Sequence, residues 1–284
     1  MAEEKKIDTK SFWYRFKNHR LGMIGFIGII MIFSIAIFAP FIAEEPGGYG
    51  TAEEILQPPS KSYIFGTDYM GLDIFSQVVW GTRASILVGF IAVLVAAVIG
   101  VSIGLFSGYL GGIVEVIGMG LADIFFTLPV LPLMIVMAAV IGSDIRNVAI
   151  IIGLFQWPKL ARVTRASTLK VINMQYIEAA RSLGLKQYKI VFKHVLVNAS
   201  APVLVNMTIV MAGAILSESG LSFLGLGDPL TWSWGKILNN AHQSGAFISA
   251  WWTSMFPSLA IMVFVICFNF LGMGIRDALN PKLY

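Results

Sequence analysis

The sequence predicts an all-α polytopic membrane protein with six transmembrane helices, and three observations predict it. Of 284 residues, 57% are hydrophobic and only 13% charged, with a mean hydropathy of +0.78. A soluble domain carries roughly 45–50% apolar and about 25% charged residues. So little charge cannot wet a soluble surface, which excludes a cytosolic enzyme and a disordered chain. Second, apolar stretches of about 20 residues recur along the chain, the length that crosses ~30 Å of hydrocarbon at 1.5 Å per residue. Third, the basic residues sit in a few clusters that share one side of a bilayer only if the crossings between them are even in number. A single cysteine, Cys267, excludes an internal disulfide framework.

The elements follow in order. Residues 1–20 read as a cytoplasmic N-terminal segment, and residues 21–284 as the membrane domain. The first span, 21–42, contains no charge and is longer than the apolar core of a secretory signal. An outer loop covers 43–85, and the second span covers 86–106. After a Ser107–Gly112 turn the third span runs over 113–141, where Pro129 and Pro132 should bend it by removing helical hydrogen bonds. The fourth span, 148–165, is the least apolar, because Pro158, Lys159 and Arg162 fall within it; long basic side chains near a helix end snorkel to the headgroups. The fifth span, 203–223, is interrupted by Ser217-Glu218-Ser219. The sixth covers 253–271.

Charge placement tests this count. Six basic residues lie in 1–20 (Lys5, Lys6, Lys10, Arg15, Lys17, Arg20). Eight lie in 159–193: Lys159, Arg162, Arg165, Lys170, Arg181, Lys186, Lys189 and Lys193. With Arg276 and Lys282 these make sixteen of the twenty Lys and Arg. Four spans between the first two clusters place all sixteen on one face, so the positive-inside rule predicts both termini in the cytoplasm. The 43–85 loop instead holds six acids against Lys61 and Arg83. Trp232, Trp234, Trp251 and Trp252 fit an outer aromatic belt. Orientation thus accounts for the net charge of +4, and nucleic acid is not an expected partner.

The stretch between spans four and five is too structured for a linker. Met174, Ile177, Ala180 and Leu183 form an amphipathic stripe, Gly184 suits a helix stop, and Tyr188, Val191, Phe192 and Val195 form a second stripe. The pattern over 173–198 predicts a helix–turn–helix hairpin. The residues alone leave two readings open, a pair of helices on the headgroups and a helix docked in a partner's groove.

Glu178-Ala179-Ala180-Arg181-Ser182-Leu183-Gly184, with Ile190 and His194-Val195-Leu196-Val197-Asn198-Ala199 after it, resembles the EAA loop of ABC importer permeases. Phe65-Gly66-Thr67-Asp68, Gly71, Asp73 and Gly81-Thr82-Arg83-Ala84-Ser85 resemble the outer segment of the C-type permeases of dipeptide, oligopeptide and nickel importers. Leu221-Ser222-Phe223-Leu224-Gly225-Leu226-Gly227, Trp234-Gly235 and Gly274-Ile275-Arg276-Asp277-Ala278-Leu279-Asn280-Pro281 carry the resemblance to the C-terminus. Four positions depart from the family pattern: Leu72 and Gln77 stand where Arg is usual, Val197 for Pro and Met273 for Asp.

The resemblance implies a type I ABC importer permease fold in the prokaryotic cytoplasmic membrane. It implies a second, B-type permease, two ATP-binding subunits that carry ATP and Mg, an extracytoplasmic substrate-binding protein, and surrounding lipid. The chain itself would bind no cofactor and catalyse nothing; it contains no G-x-x-x-x-G-K-[ST], since Gly235-Lys236 is followed by Ile237. Tyr176, Glu178, Ala179, Ala180, Arg181 and Gly184 would form the coupling contact, with Glu178 either holding the hairpin's shape or touching the ATPase. Di- and oligopeptides are the expected substrate; nickel and oligosaccharides are the alternatives within the class, and an ion-driven secondary transporter outside it. Ionisable residues within membranes are functional candidates. Asp123, about 16 Å of helix past Gly112, either lines the path or bonds a neighbouring helix, Glu218 is a path or gate candidate, and Glu115, near the inner end of span three, reads as structural. His19, His194 and His242 lack ligand spacing, so no metal site is expected.

Overall fold

The computed structural model describes residues 9–279; Lys5, Lys6 and Lys282, and the Asn280-Pro281 end of the last motif, lie outside the described residues. The helices are α1 (Thr9–Asn18), α2 (Arg20–Ile42), α3 (Ile74–Leu110), α4 (Gly112–Thr127), α5 (Val130–Ile141), α6 (Ile145–Ile172) and α7 (Gln175–Ser182). Next come α8 (Gln187–Lys189), a π-helical segment (Ile190–Val195), α9 (Leu196–Phe223), α10 (Trp234–Gln243), α11 (Ala246–Ser249) and α12 (Trp252–Leu279). Among the described residues there is no strand, only an isolated bridge between Thr67 and Asp73.

Four helices are long and apolar enough to cross a membrane: α2, α3, the continuous rod Gln187–Phe223, and α12. The pair α4 and α5 makes a fifth if its 91° bend is a break within one span. The bend falls where the prolines put it. Leu128, ahead of Pro129, is extended, as the proline ring requires of its predecessor, and Pro132 sits in the first turn of α5, where its missing N–H costs nothing. Helix α6 has 28 residues but carries Arg146, Lys159, Arg162, Arg165 and Lys170, which keep it outside the set.

Several expected boundaries move. The helix over 86–106 begins at Ile74, because Asp73 caps it by accepting from Phe75 N and Ser76 N at 3.2 and 3.0 Å. The helix over 148–165 extends to Ile145–Ile172, with Asp144 as its cap. The second stripe of the predicted hairpin is the first turns of the rod that becomes the fifth expected span.

Helices α3 and α6 run parallel and pack backbone to backbone. Ala92, Ala96, Gly100, Gly104 and Gly108 recur every fourth residue on α3, and a Cβ on Gly100 would lie 2.6 Å from the Trp157 carbonyl. Small residues allow that approach where no hydrophobic effect drives helices together. Helix α2 packs on α12 in the same way. Its N-terminus is capped by His19, whose Nδ1 accepts from Gly22 N at 2.9 Å while Nε2 lies 3.0 Å from Asp277 of α12.

The tryptophans correct an expectation. Trp234 and Trp252 are buried rather than facing a lipid belt. Their indole N–H groups donate to Val78 O and Thr67 O, as Trp232 donates to Pro46 O and Trp80 to Ala43 O, all at 3.0–3.1 Å. Backbone carbonyls need donors and buried indoles need acceptors, so Trp80 and Trp252 fasten the outer loop onto α3 and α12, Trp232 ties it to the segment before α10, and Trp234 ties α10 to α3. Of the four residues assigned to a belt, Trp251 is the one classed as exposed.

Candidate coupling hairpin and charged membrane face

Helix α7 ends in a Schellman motif. Leu185 N donates to Ala180 O and Gly184 N to Arg181 O, at 3.2 and 3.0 Å, which places Gly184 at the left-handed position with φ +72°. A Cβ there would meet open space, so within this chain the glycine is required by its backbone angle and not by packing. Ile177 and Ala180 are buried, and Ile177 joins a cluster with Leu105 of α3, Val171 of α6, and Ile190, Val191 and Val195 of the π-helical segment. Glu178, Ala179, Arg181 and Gly184 face outward.

The predicted stripe is therefore only half buried. Leu183 is 80% exposed at the tip, and Tyr188 and Phe192 of the second stripe are exposed as well. Arg181 lies with its guanidinium 5.6 Å from the centre of the Tyr109 ring, and the Tyr109 hydroxyl donates to Gln187 Oε1. These contacts bind both arms of the hairpin to the end of α3. Glu178 forms no ion pair among the described residues. Tyr176 is half-buried, burial pushes its phenol up, and its hydroxyl has no hydrogen-bond partner among the described residues.

Two acids on α4 meet two arginines on α6. Asp123 pairs with Arg162, whose guanidinium also lies 3.9 Å from the Phe126 ring centre. Glu115 pairs with Arg165 through Nε at 2.9 Å and through Nη2. The sequence reading named both acids but took Arg162 as snorkelling and Arg165 as one of the cytoplasmic basic cluster; their i, i+3 spacing on one face was the available signal. Glu218 lies elsewhere. It is 3% exposed and accepts from Ser222 Oγ at 2.6 Å and Ser219 Oγ at 3.4 Å, beneath the α10 segment. Among the described residues no three His, Cys, Asp or Glu side chains gather to hold a metal.

The outer-loop motif is a folded lock. Phe65 stacks on Phe256 at 3.9 Å, and Gly66 has φ +74° with Trp252 against it. Asp68 accepts from Met70 N, Leu72 N and Gln77 Nε2 at 2.7–2.9 Å. Burial pushes the Asp68 carboxyl up, against the lowering effect of those donors. Gln77 Oε1 is buried and has no hydrogen-bond partner among the described residues.

The model of binding-protein-dependent transport system inner membrane components matches residues 100–283, and that of the N-terminal TM domain of oligopeptide transport permease C matches residues 9–59. The chain belongs to the binding-protein-dependent transport permeases. The permease is 38% identical over 270 residues to a dipeptide transport system permease protein DppC of Alkalihalophilus pseudofirmus, covering 94% of this chain and 88% of that one. It is 35% identical to a glutathione transport system permease protein GsiD of Pectobacterium atrosepticum, covering 100% of this chain and 95% of that one. It is also 35% identical to an oligopeptide transport system permease protein OppC of Bacillus subtilis, covering 99% and 94%. An inward-facing structure of the MetNI methionine ABC transporter matches the permease fold with a TM-score of 0.59 at 20% identity, covering 73% of this chain and 98% of that one. The permease is thus an all-helical, multi-pass inner-membrane protein of an ABC importer.

Proposed function

We propose that this permease carries di- and oligopeptides inward as one of two membrane subunits of an ATP-driven, receptor-dependent importer. The observation that carries the reading is full-length similarity to permeases named for dipeptide, oligopeptide and glutathione transport. Its partners are a B-type permease, two ATPase subunits holding ATP and Mg, and an extracytoplasmic receptor; the chain itself catalyses nothing and binds no cofactor. The membrane domain crosses six times, with α4–α5 and α6 as the third and fourth crossings and both termini cytoplasmic. This topology is supported by the clustering of basic residues in 1–20 and 159–193, which share one face when four spans separate them.

The hairpin is the coupling element. Glu178, Ala179, Gly184 and the exposed Leu183 face away from the bundle, Arg181 is exposed while resting on Tyr109 of α3, and Tyr176 and Ala180 hold α7 to the bundle. An exposed leucine at the tip of a hairpin fixed from behind favours a protein groove over headgroups. ATPase closure would move α7, and with it α3 and the rod Gln187–Phe223, as a rigid body. Asp123 belongs to the pathway, and Glu218 to its outer gate.

Proteoliposomes containing the permease, its partner subunits and the receptor test the reading. ATP-dependent accumulation of labelled dipeptide is the expected result. Uptake driven by an ion gradient without an ATPase, or transport of nickel or oligosaccharide and no peptide, would overturn it.

A further inference from the structure

The two ion pairs between α4 and α6 have a property that packing does not explain. Asp123 and Arg162 are 63% and 50% exposed at the side chain, and Glu115 and Arg165 about a third exposed. Together with Met119 and Gly120 they line an open cavity of about 490 Å³, within the range of small-molecule sites, ~300–1,000 Å³. Ionisable side chains on membrane-crossing helices do not face lipid; they face a water-filled cavity or the interior of a bundle. Each pair is already satisfied, so an apolar partner helix laid across this face would bury four charges and gain nothing from them.

The charge pattern has a specific complement. Two carboxylates and two guanidiniums stand on one wall with zero net charge, and each can release its partner for an equivalent one. A short peptide with free termini carries one ammonium and one carboxylate. Arginine grips a carboxylate through a planar fork, Asp123 and Glu115 accept from an ammonium, and the protein pair re-forms when the peptide leaves. Passage requires binding that is multi-site and reversible, and exchange between ready-made pairs provides it. Gly120, where a Cβ would meet nothing within 4 Å, keeps the wall open between the two pairs.

We infer that Glu115–Arg165 and Asp123–Arg162 form a transit site for the charged termini of zwitterionic peptides, an inference that rests on the peptide-importer reading above. The test uses the full complex in proteoliposomes. With Cys267→Ala as background, Gly120→Cys should react with a membrane-impermeant thiol reagent in the assembled complex, and transported dipeptide should slow that reaction. Asp123→Asn should lower dipeptide uptake per ATP hydrolysed tenfold or more. An unreactive Gly120→Cys in an intact complex, a reaction that transported dipeptide does not slow, or an unchanged ratio in Asp123→Asn would each overturn the inference. Wild-type complex that takes up no peptide overturns the underlying reading and this one with it. Wild type that takes up peptide beside a variant with the same ratio overturns this one alone.

Discussion

Gly22 of α2 and Gly274 of α12 face each other so closely that a Cβ built on Gly22 would lie 2.7 Å from the Gly274 Cα, and one on Gly274 would lie 2.6 Å from the Gly22 Cα. The two helices meet backbone to backbone, and the His19 cap and its Asp277 contact sit at the same junction. Gly22→Leu should force the helices apart and lower stability by about 1–3 kcal/mol, the usual cost of overpacking. Gly220→Ala, at a site with open space, should be neutral or slightly stabilising. Thermal midpoints of the detergent-purified protein, followed by size-exclusion chromatography, compare the two.

Gly184 separates backbone from packing. Asn tolerates a left-handed backbone and β-branched residues do not. Gly184→Asn should therefore keep most ATP-coupled uptake, whereas Gly184→Val should lose coupling with a local cost of roughly 1–2 kcal/mol. Uptake and ATP hydrolysis measured on the same vesicles decide it. Equal behaviour of the two variants would mean that a partner's contact, and not the turn, sets the requirement.

Asp68 makes the outer loop sensitive to pH. Burial raises its folded pKa above the ordinary 3.8, so between the two values the folded state holds a proton that the unfolded state has lost. Stability then falls as pH rises through that window. Asp68→Asn should flatten this slope. Limited proteolysis of the outer loop across the acid-to-neutral range is the measurement, and identical slopes in wild type and variant would contradict it.

Glu218 can be tested without unfolding the segment beneath α10. Gln at this position still accepts from Ser222, so Glu218→Gln should stay within about 0.5 kcal/mol of wild type yet reduce uptake if the residue gates the path. Glu218→Leu, which strands buried hydroxyls, should cost about 1–3 kcal/mol. Wild-type uptake and an unchanged pH profile in Glu218→Gln would remove Glu218 from the gate.

The helical class, the apolar runs and the proline-marked break at Leu128–Pro129 were legible because each depends on residues close in sequence. The EAA-like segment was legible as a motif, and Gly184 as a helix stop. The burial of Trp234 and Trp252 was not, since an indole at a sequence-defined interface reads the same whether it meets lipid or a backbone carbonyl. Leu183 belonged to a regular stripe, yet α7 is too short for every position of that stripe to reach the core. The Ala92-to-Gly108 ladder was readable every fourth residue; what it packs against was not.

By itself the sequence determined the solvent, the helices and the family, because composition, periodicity and motif order are one-dimensional properties. Tertiary structure alone decided partnership: which arginine meets Asp123 and Glu115, which carbonyl each tryptophan satisfies, and that Glu218 lies inside the chain while Asp123 does not. Those outcomes depend on how parallel and antiparallel helices bring distant residues to the same depth, and no local pattern encodes that register.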